Sequence, residues 1–428
     1  MTAGSLGFGG GIAPPRAADV EGVRREIGYI PAIEGLRGIA VLWVVVFHYV
    51  TVRSGRFVDP FVGWIDVFVP LKVIVRNGFL GVDLFFLITG FLLTLPWFKH
   101  AMEGRARPST VEFYARRARR ILPAYYVQLA LLFFVFLPLL NPSLWSAARG
   151  FVLGNLGLHA VFLHYTTPYS SASLSINGAL WTLALEMQYY LLLPLIALPF
   201  LHAPIVAAVA FLAVAIVWKV LSLHDLEPLI SLYATIGARW SPSEAELRQF
   251  AGTQLPAYLG HFSLGILCGR AWLRNGVRAS RGESAILALV AAAALLILYA
   301  VLSGRATWSG EFAWTLILAS MAIAMWAAVS RRPNWSDKVL GTKPLAFVGR
   351  ISYSMYLYHL PAVFLFNRYA SPAMGWLAFP AYFAAMLLVS ALSFHFIERP
   401  FMRLPARARR SPTTEPTPDE TGRTGVTS

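Results

Sequence analysis

The first hydrophobic segment of the chain reads Gly35-Leu-Arg-Gly-Ile-Ala-Val-Leu-Trp-Val-Val-Val-Phe-His48, and only Arg37 and His48 within it can ionise. At about 1.5 Å per helical residue, His48 lies roughly 17 Å deeper than Arg37, past the middle of a bilayer about 30 Å thick. A titratable imidazole at that depth needs a partner or a water-filled cavity, so it is a functional hypothesis by default. The alternative is a histidine that only packs between helices, bonded to a neighbouring carbonyl.

Long apolar blocks of this kind recur along the whole chain. Of its 428 residues, 57% are hydrophobic and 13% are charged, which predicts an all-α, polytopic integral membrane protein. Ten blocks are long enough to cross a bilayer, at about 36–52, 78–97, 121–140, 180–200, 204–223, 254–272, 284–302, 312–330, 346–366 and 376–397. The shorter block 151–165 is interrupted by polar residues and glycine, so we expect it to be re-entrant or interfacial.

The basic residues are unevenly distributed between the two sides of the membrane. With an inner N-terminus and ten crossings, the dense basic clusters lie in cytoplasmic loops, within 99–120, 270–281, 331–350 and 399–410. This positive-inside bias predicts that both termini are cytoplasmic. It also accounts for the net charge of +15 without a nucleic acid partner.

The charge pattern and composition divide the chain into three regions. We expect a cytoplasmic N-terminal tail at 1–30, a membrane domain at 31–403 and a disordered cytoplasmic C-terminal tail at 404–428. The expected location is the inner (plasma) membrane, crossed several times.

Three further ionisable side chains lie inside predicted spans. Asp83 and Glu186 are each roughly 8 or 9 Å from the outer ends of their helices, and His359 is about 14 to 20 Å from the inner end of its helix. All three therefore approach the depth of His48. Two acids and two histidines from four separate spans predict one functional site slightly outward of the midplane.

These groups allow a simple chemistry. Histidine can take a proton from an alcohol while the oxygen attacks a carbonyl, and an acid bonded to the other ring nitrogen holds the tautomer. Tyr353 and Tyr356 add hydroxyls near His359, and Trp181 lies near Glu186, although interfacial anchoring explains most aromatic residues of this kind. General-base acyl transfer is the predicted reaction, and no metal is expected.

A basic run, Arg116-Arg117-Ala-Arg119-Arg120, opens the third span on the cytoplasmic side. Arg117 and Arg120 are three residues apart and share one helix face, from which two guanidinium groups can fork onto phosphate oxygens. A basic cluster can also act only as a topology signal that contacts lipid phosphate.

Six stretches of the chain, in order, resemble the signatures of the membrane acyltransferase-3 family. The first is Ile33-Glu-Gly-Leu-Arg-Gly-Ile-Ala followed by His48, which is similar to a motif with ten residues between a basic residue and a histidine. The others are Gly81-Val-Asp-Leu-Phe-Phe-Leu-Ile-Thr-Gly-Phe-Leu, Phe113-Tyr-Ala-Arg-Arg-Ala-Arg-Arg-Ile-Leu-Pro-Ala-Tyr-Tyr, Leu180-Trp-Thr-Leu-Ala-Leu-Glu-Met-Gln-Tyr-Tyr, Gly349-Arg-Ile-Ser-Tyr-Ser-Met-Tyr-Leu-Tyr-His and Ile397-Glu-Arg-Pro-Phe. Together they run from about residue 30 to 403.

The resemblance implies a bacterial, acyl-CoA-dependent O-acyltransferase. Such an enzyme moves an acyl group, often acetyl, from cytoplasmic acyl-CoA to a hydroxyl of a sugar, cell-envelope glycan or natural product such as a polyketide. By this likeness His48 is the essential histidine and Arg37 is its motif partner. Arg117 and Arg120, with the neighbouring Arg116, meet coenzyme A.

The fourth stretch departs from the family pattern at one position. Glu186 matches the first of two adjacent acids, but Met187 occupies the second position. A mechanism that needs both acids is therefore not expected here.

The resulting hypothesis is a ten-helix acyltransferase that binds acetyl-CoA at its basic inner face and the acceptor from the outer side. His48 is the expected base, with Asp83 and Glu186 as further catalytic candidates. His359, Tyr353, Tyr356 and Trp181 are the candidates for acceptor binding. Direct attack on the thioester is simpler than a covalent acyl-histidine, which stays open.

A transporter, such as a proton-coupled or lipid-linked saccharide exporter, is the alternative function. Buried histidines and acids also form proton relays. Such folds often contain internal repeats, and no matching pattern relates 31–200 to 254–400.

Overall fold

The structure, a computed structural model, describes residues 30–54, 59–104, 108–171, 173–237, 242–274, 281–304, 310–330, 335–370 and 372–402. These residues are mainly helical and include no strand, as the all-α prediction requires. The predicted tails 1–30 and 404–428 lie outside the described residues, apart from Ile30. Parts of the predicted basic loops lie outside them as well.

Ten helices of 16 residues or more occupy the ten predicted apolar blocks in the described part of the chain. They are α1 (Pro31–Arg53), α2 (Gly81–Glu103), α3 (Thr110–Leu131), α4 (Trp181–His202), α5 (Pro204–His224), α6 (Leu255–Arg274), α7 (Arg281–Leu302), α8 (Gly310–Val329), α9 (Lys343–Tyr369) and α10 (Ala378–Ser393). Single π-helical turns at Leu132–Phe136 and Phe394–Glu398 extend α3 and α10 into the short helices Leu137–Leu140 and Arg399–Met402.

Short helical segments connect the long helices. They are Pro60–Val67, Val69–Arg76, Pro142–Ala147, Arg149–Ala160, Pro168–Ser171, Glu227–Gly237, Glu244–Gly252 and Trp335–Val339, with 3₁₀ turns at Gly78–Leu80, Ser173–Ser175, Gly178–Leu180 and Pro372–Leu377.

Seven of the long helices, counted with the turns that extend them, are long and apolar enough to cross a membrane. The prediction of a helical polytopic membrane protein is therefore confirmed. The other three long helices are α6, α8 and α9, and the apolar part of α8 is short, at Ala313–Val329. In α9 the polar residues Ser352, Ser354 and His359 are buried. Because they face neighbouring helices and not lipid, α9 can contain them without being apolar throughout.

Close helix pairs at the centre of the molecule depend on glycine. Helix α1 packs along α9, and α2 packs along α6. A Cβ atom added to Gly349 of α9 would lie 2.0 Å from the Glu34 carbonyl oxygen of α1, and one on Gly265 of α6 would lie 2.1 Å from the Leu87 carbonyl oxygen of α2. Small residues allow membrane helices to approach in this way. Because α1 also contacts α2, these four helices bring the predicted polar groups together.

The interrupted block 151–165 does not form a span in the structure. Its helix, Arg149–Ala160, has 12 residues and is about 18 Å long at the helical rise, too short to cross. Irregular turns follow, with Phe162, Leu174 and Ser175 in the left-handed region. Whether the segment is re-entrant or interfacial stays a prediction.

Candidate active site

Two histidines from distant parts of the chain meet inside the helix bundle. His48 Nδ1 of α1 lies 3.2 Å from His359 Nε2 of α9. Each Nδ1 also faces a carbonyl oxygen, that of Val44 at 2.9 Å from His48 and that of Tyr356 at 2.7 Å from His359. Because a carbonyl can only accept, both Nδ1 atoms carry the proton in the neutral pair. The single Nδ1–H of His48 is therefore shared between the Val44 carbonyl oxygen and His359 Nε2, and His48 Nε2 keeps its lone pair.

His48 borders a cavity that we call the histidine chamber. The chamber is lined by His48, Phe79, Val82, Asp83, Gly178, Ala179, Trp181, Tyr258, Tyr356 and Leu360, and it holds about 580 Å³ of open space. His48 thus has the carbonyl bond of a packing histidine and also faces a cavity.

Asp83 borders the same chamber but does not contact His48. Its Oδ1 lies 2.8 Å from Nε2 of His261 of α6, a residue that the sequence analysis did not single out. Asp83 is in the first turn of α2, where the helix dipole favours a carboxylate. The expectation that an acid holds the His48 tautomer is corrected, because the Val44 carbonyl and His359 occupy that position and Asp83 is engaged elsewhere.

A second cavity, which we call the arginine chamber, adjoins the first. Its open space is about 590 Å³. It is lined by Arg37, Val82, Phe85, Phe86, Arg120, Ile121, Thr182, Leu183, Glu186, Tyr190, Ser352, Tyr353 and Tyr356. Arg37 Nη2 donates to Ser352 Oγ at 3.1 Å, and Arg37 Nη1 lies 3.5 Å from Glu34 Oε1. Val82 and Tyr356 line both chambers.

The basic run at the start of α3 divides between this chamber and the surface. Arg120 lines the arginine chamber, and the buried Nε of Arg117 has no hydrogen-bond partner among the described residues. Arg116 is exposed and forms an ion pair with Glu112. Positions 117 and 120 share a helix face, as their spacing predicts, whereas Arg116 points away from the chamber.

Glu186 lies in the arginine chamber and not at the depth of His48. Thr89 Oγ1 donates to Glu186 Oε1 at 3.2 Å, and Arg37 lines the same cavity. The predicted depth was counted from an outer helix end near residue 180, yet Ala179 already borders the histidine chamber. Glu186 is seven residues further along, about 10 Å toward the arginines. The single predicted cluster is therefore corrected to two adjoining sites.

The predicted aromatic candidates are divided between the two chambers. Trp181 lines the histidine chamber, Tyr353 lines the arginine chamber and Tyr356 lines both. The Tyr353 hydroxyl donates to the Ile121 carbonyl at 3.0 Å, and the Tyr356 hydroxyl donates to the Ala179 carbonyl at 2.9 Å. Both tyrosines thus join helices as well as lining cavities.

Glu398, at the end of the π-helical turn that follows α10, is a further buried acid that the sequence predicted only as part of a motif. It is fully buried, accepts a hydrogen bond from Ser354 Oγ, and interacts electrostatically with Arg37 and Arg120. Its Oε2 has no partner among the described residues. The sequence feature that could have identified Glu398 is the position of an acid at the end of a long apolar block.

Fold and site together define a polytopic helical membrane protein with a buried histidine pair beside a cavity lined by arginines. Such a protein combines a titratable group with basic side chains that can hold an anion. A family model described as an acyltransferase domain matches residues 30–395, and the chain belongs to this acyltransferase family. The resemblance to this family is confirmed, and the match covers the first five of the six sequence motifs.

Several curated relatives are O-acetyltransferases. The chain is 26% identical over 400 residues to the peptidoglycan O-acetyltransferase OatA of Listeria monocytogenes, covering 88% of this chain and 56% of the relative. It is 25% identical over 398 residues to a putative O-acetyltransferase of Staphylococcus aureus strain COL, covering 89% and 58%. It is 25% identical over 392 residues to the O-acetyltransferase OatA of Staphylococcus aureus strain NCTC 8325, covering 88% and 57%. The chain spans little more than half the length of these relatives. No solved structure matches the chain.

Proposed function

We propose that this protein is an acyl-CoA-dependent O-acyltransferase of the bacterial inner membrane. It transfers an acyl group, most simply acetyl, to a hydroxyl of a carbohydrate, cell-envelope glycan or related acceptor. The observation that supports this proposal most directly is that the arginine chamber and the histidine chamber share two lining residues, Val82 and Tyr356. Membership of the acyltransferase family supports the transfer, and the names of the relatives support oxygen as the acceptor atom and acetyl as the group.

The arginine chamber suits the phosphates of coenzyme A. Arg120 forms no ion pair with a carboxylate of the described residues, and Arg117 carries a buried, unpartnered Nε. Guanidinium groups bind phosphate through two parallel hydrogen bonds. Arg37, held by Ser352 and Glu34, completes the donor site in this proposal.

Glu186 and Glu398 set the charge of the donor site. Both acids interact electrostatically with the arginines of the chamber. We assign Glu186 to positioning these arginines, because Thr89 and the chamber wall hold it away from His48. The acids limit the excess positive charge that the cavity carries between turnovers.

His48 acts as the general base in this proposal. The acceptor hydroxyl gives its proton to His48 Nε2 while its oxygen forms a bond to the acyl carbonyl carbon. The C–S bond of the thioester then breaks, and the proton passes from His48 to the leaving sulfur. The Val44 carbonyl fixes the His48 tautomer, and His359 Nε2 shares the same Nδ1–H and orients the ring. Asp83 and Trp181, which border the same chamber, are the proposed contacts for the acceptor.

The test is acyl transfer by the purified protein in lipid, with radiolabelled acetyl-CoA and glycan acceptors. Wild type is expected to release coenzyme A and label an acceptor, and His48→Gln is expected to lose about 10²- to 10⁴-fold of the turnover, the usual contribution of a general base. His395→Gln, at an exposed histidine of the α10 extension, is the matched control and should keep the wild-type rate. If no donor from acetyl to longer acyl-CoA binds or reacts, the proposal fails and the exporter hypothesis becomes the better one.

A further inference from the structure

The arginines and His48 border different cavities, and two side chains of the described residues border both. These are Val82 of α2 and Tyr356 of α9. A donor whose phosphates are held by Arg37 and Arg120 can meet His48 only if its acyl end passes from the first cavity into the second. The shared side chains mark the place where the two cavities adjoin.

We propose that Val82 and Tyr356 form the passage through which the acyl end of the donor crosses, and that this passage limits the width of the acyl group. The inference rests on the proposed function, since it needs a donor in the arginine chamber. It adds the selection of the acyl group to that function.

The two sides of the passage are held differently. The Tyr356 hydroxyl donates to the Ala179 carbonyl at 2.9 Å and lies 2.8 Å from Thr182 Oγ1, and Phe85 packs edge-on against the ring with centroids 6.2 Å apart. The Tyr356 carbonyl also accepts from His359. Tyr356 is therefore a fixed wall.

Val82 is the adjustable wall of the passage. Its side chain has no polar atom, and it is 8% exposed in the first turn of α2. Its size can be changed without breaking a side-chain hydrogen bond. Open space on both sides of Val82 can receive a larger side chain.

Such a passage selects acyl groups by width and not by length. A linear acyl chain is as narrow as the arm of coenzyme A that carries it, whereas a branched acyl group is wider. A passage of fixed width therefore admits acetyl and linear acyl groups and hinders a branched acyl group. This gives the proposal a signature that a general loss of stability does not produce.

The experiment compares kcat/KM for acetyl-CoA and isobutyryl-CoA in purified protein in lipid. Val82→Ala is expected to raise the ratio of isobutyryl to acetyl turnover about tenfold, the lower end of the effect of one or two methylenes in an apolar site. Val82→Phe is expected to reduce turnover of both donors by about tenfold or more, while binding of free coenzyme A is unchanged. Val152→Ala is the matched control, because Val152 is buried in the helix Arg149–Ala160 and is not among the side chains described as lining either chamber.

The outcomes separate the passage from the proposed function. An unchanged ratio in Val82→Ala overturns the passage, even if Val82→Phe is poorly folded. Loss of coenzyme A binding in a folded Val82→Phe also overturns it, because Val82 then shapes the donor site itself. If wild type transfers from neither donor, the proposed function fails first and the passage fails with it.

Discussion

The two ring nitrogens of His48 have different surroundings, and this difference leaves only Nε2 with a free lone pair. Nδ1 meets the Val44 carbonyl and His359 Nε2, whereas Nε2 has no hydrogen bond among the described residues. In many general-base sites a carboxylate fixes the histidine tautomer. At His48 a backbone carbonyl, that of Val44, and the ring of His359 take this place.

The role of His359 can be separated from simple packing by two substitutions. His359→Leu removes one of the two acceptors that face His48 Nδ1–H and is expected to lower kcat about 3- to 10-fold, the value of one neutral hydrogen bond. His359→Gln keeps an oxygen acceptor and should recover part of this loss. The donor KM should be unchanged in both variants. Equal losses in the two variants, or a change in donor KM alone, would contradict an orienting role.

The arginine run offers a matched comparison within one helix. Arg120→Ala and Arg117→Ala are each expected to raise the Kd of coenzyme A about tenfold, because a charge-assisted hydrogen bond contributes about 1.5–3 kcal/mol. Arg116→Ala removes the same charge from the exposed face, where Arg116 pairs with Glu112, and should leave Kd unchanged. Isothermal binding in nanodiscs gives the three values. Three equal effects would indicate a general attraction of basic charge instead of a site.

At the scale of single helices, α9 contains a proline close to the histidine pair. Pro361 lacks the N–H group that would bond the Leu357 carbonyl four residues earlier. The side chain of Asn177, in the segment before α4, supplies the missing donor, with Nδ2 3.0 Å from that carbonyl oxygen. Both Asn177 and Leu357 are fully buried. The part of α9 around His359 is thus stabilised by a residue 180 positions away from Leu357.

We therefore expect Asn177→Ala to destabilise the protein by about 1–3 kcal/mol, the cost of leaving a buried carbonyl unpaired. The double variant Asn177→Ala/Pro361→Ala should recover stability, because the substitution at position 361 restores a backbone N–H group that can bond the Leu357 carbonyl. Thermal unfolding in detergent reports both effects. The absence of recovery in the double variant would show that Asn177 does not act through this carbonyl.

The close contact between α1 and α9 gives a second prediction for the helices. Gly349→Ala places a Cβ atom 2.0 Å from the Glu34 carbonyl oxygen, so the two helices must separate. We expect a loss of about 1–3 kcal/mol of stability, the usual effect of overpacking, and weaker binding of coenzyme A, because Arg37 and Ser352 lie on these two helices. Gly157→Ala is the control, since a Cβ atom there has no neighbour within 4 Å. If both alanines have the same effect on Tm, helix separation is not the cause.

In the molecule as a whole, the two chambers lie one after the other along α1. Arg37 lies near its start in the arginine chamber and His48 lies eleven residues further on in the histidine chamber. The positive-inside pattern predicts that the arginine chamber faces the cytoplasm, where acyl-CoA is made available. The half-exposed Lys72 lies in the short helix Val69–Arg76, which follows α1 in the chain.

This sidedness can be tested with single cysteines, because Cys268 is the only cysteine in the chain. In a Cys268→Ser background, Arg116→Cys is expected to react with a membrane-impermeant maleimide only in inside-out vesicles. Lys72→Cys is expected to react only in intact cells, where the outer face is accessible. The reverse pattern would invert the predicted topology and place the donor site outside.

Sequence reasoning gave the helices at their correct positions and the separation of Arg37 and His48 along one helix. It also predicted correctly that Arg117 and Arg120 share a face. It did not predict that Glu186 joins the arginines, that Asp83 pairs with His261, or that Glu398 interacts with Arg37 and Arg120. The depth of a residue can be counted only from a known helix end, and α4 begins deeper in the protein than its apolar block indicated.

By itself the sequence determined the class of this protein and the spacing of groups on each helix. A helix must supply about 20 apolar residues to cross a bilayer whatever it packs against, and its rise per residue is fixed. Helix packing determines which of these groups meet and which lie in separate chambers. That packing depends on close glycine contacts, such as Gly349 with Glu34 and Gly265 with Leu87, between residues more than a hundred positions apart.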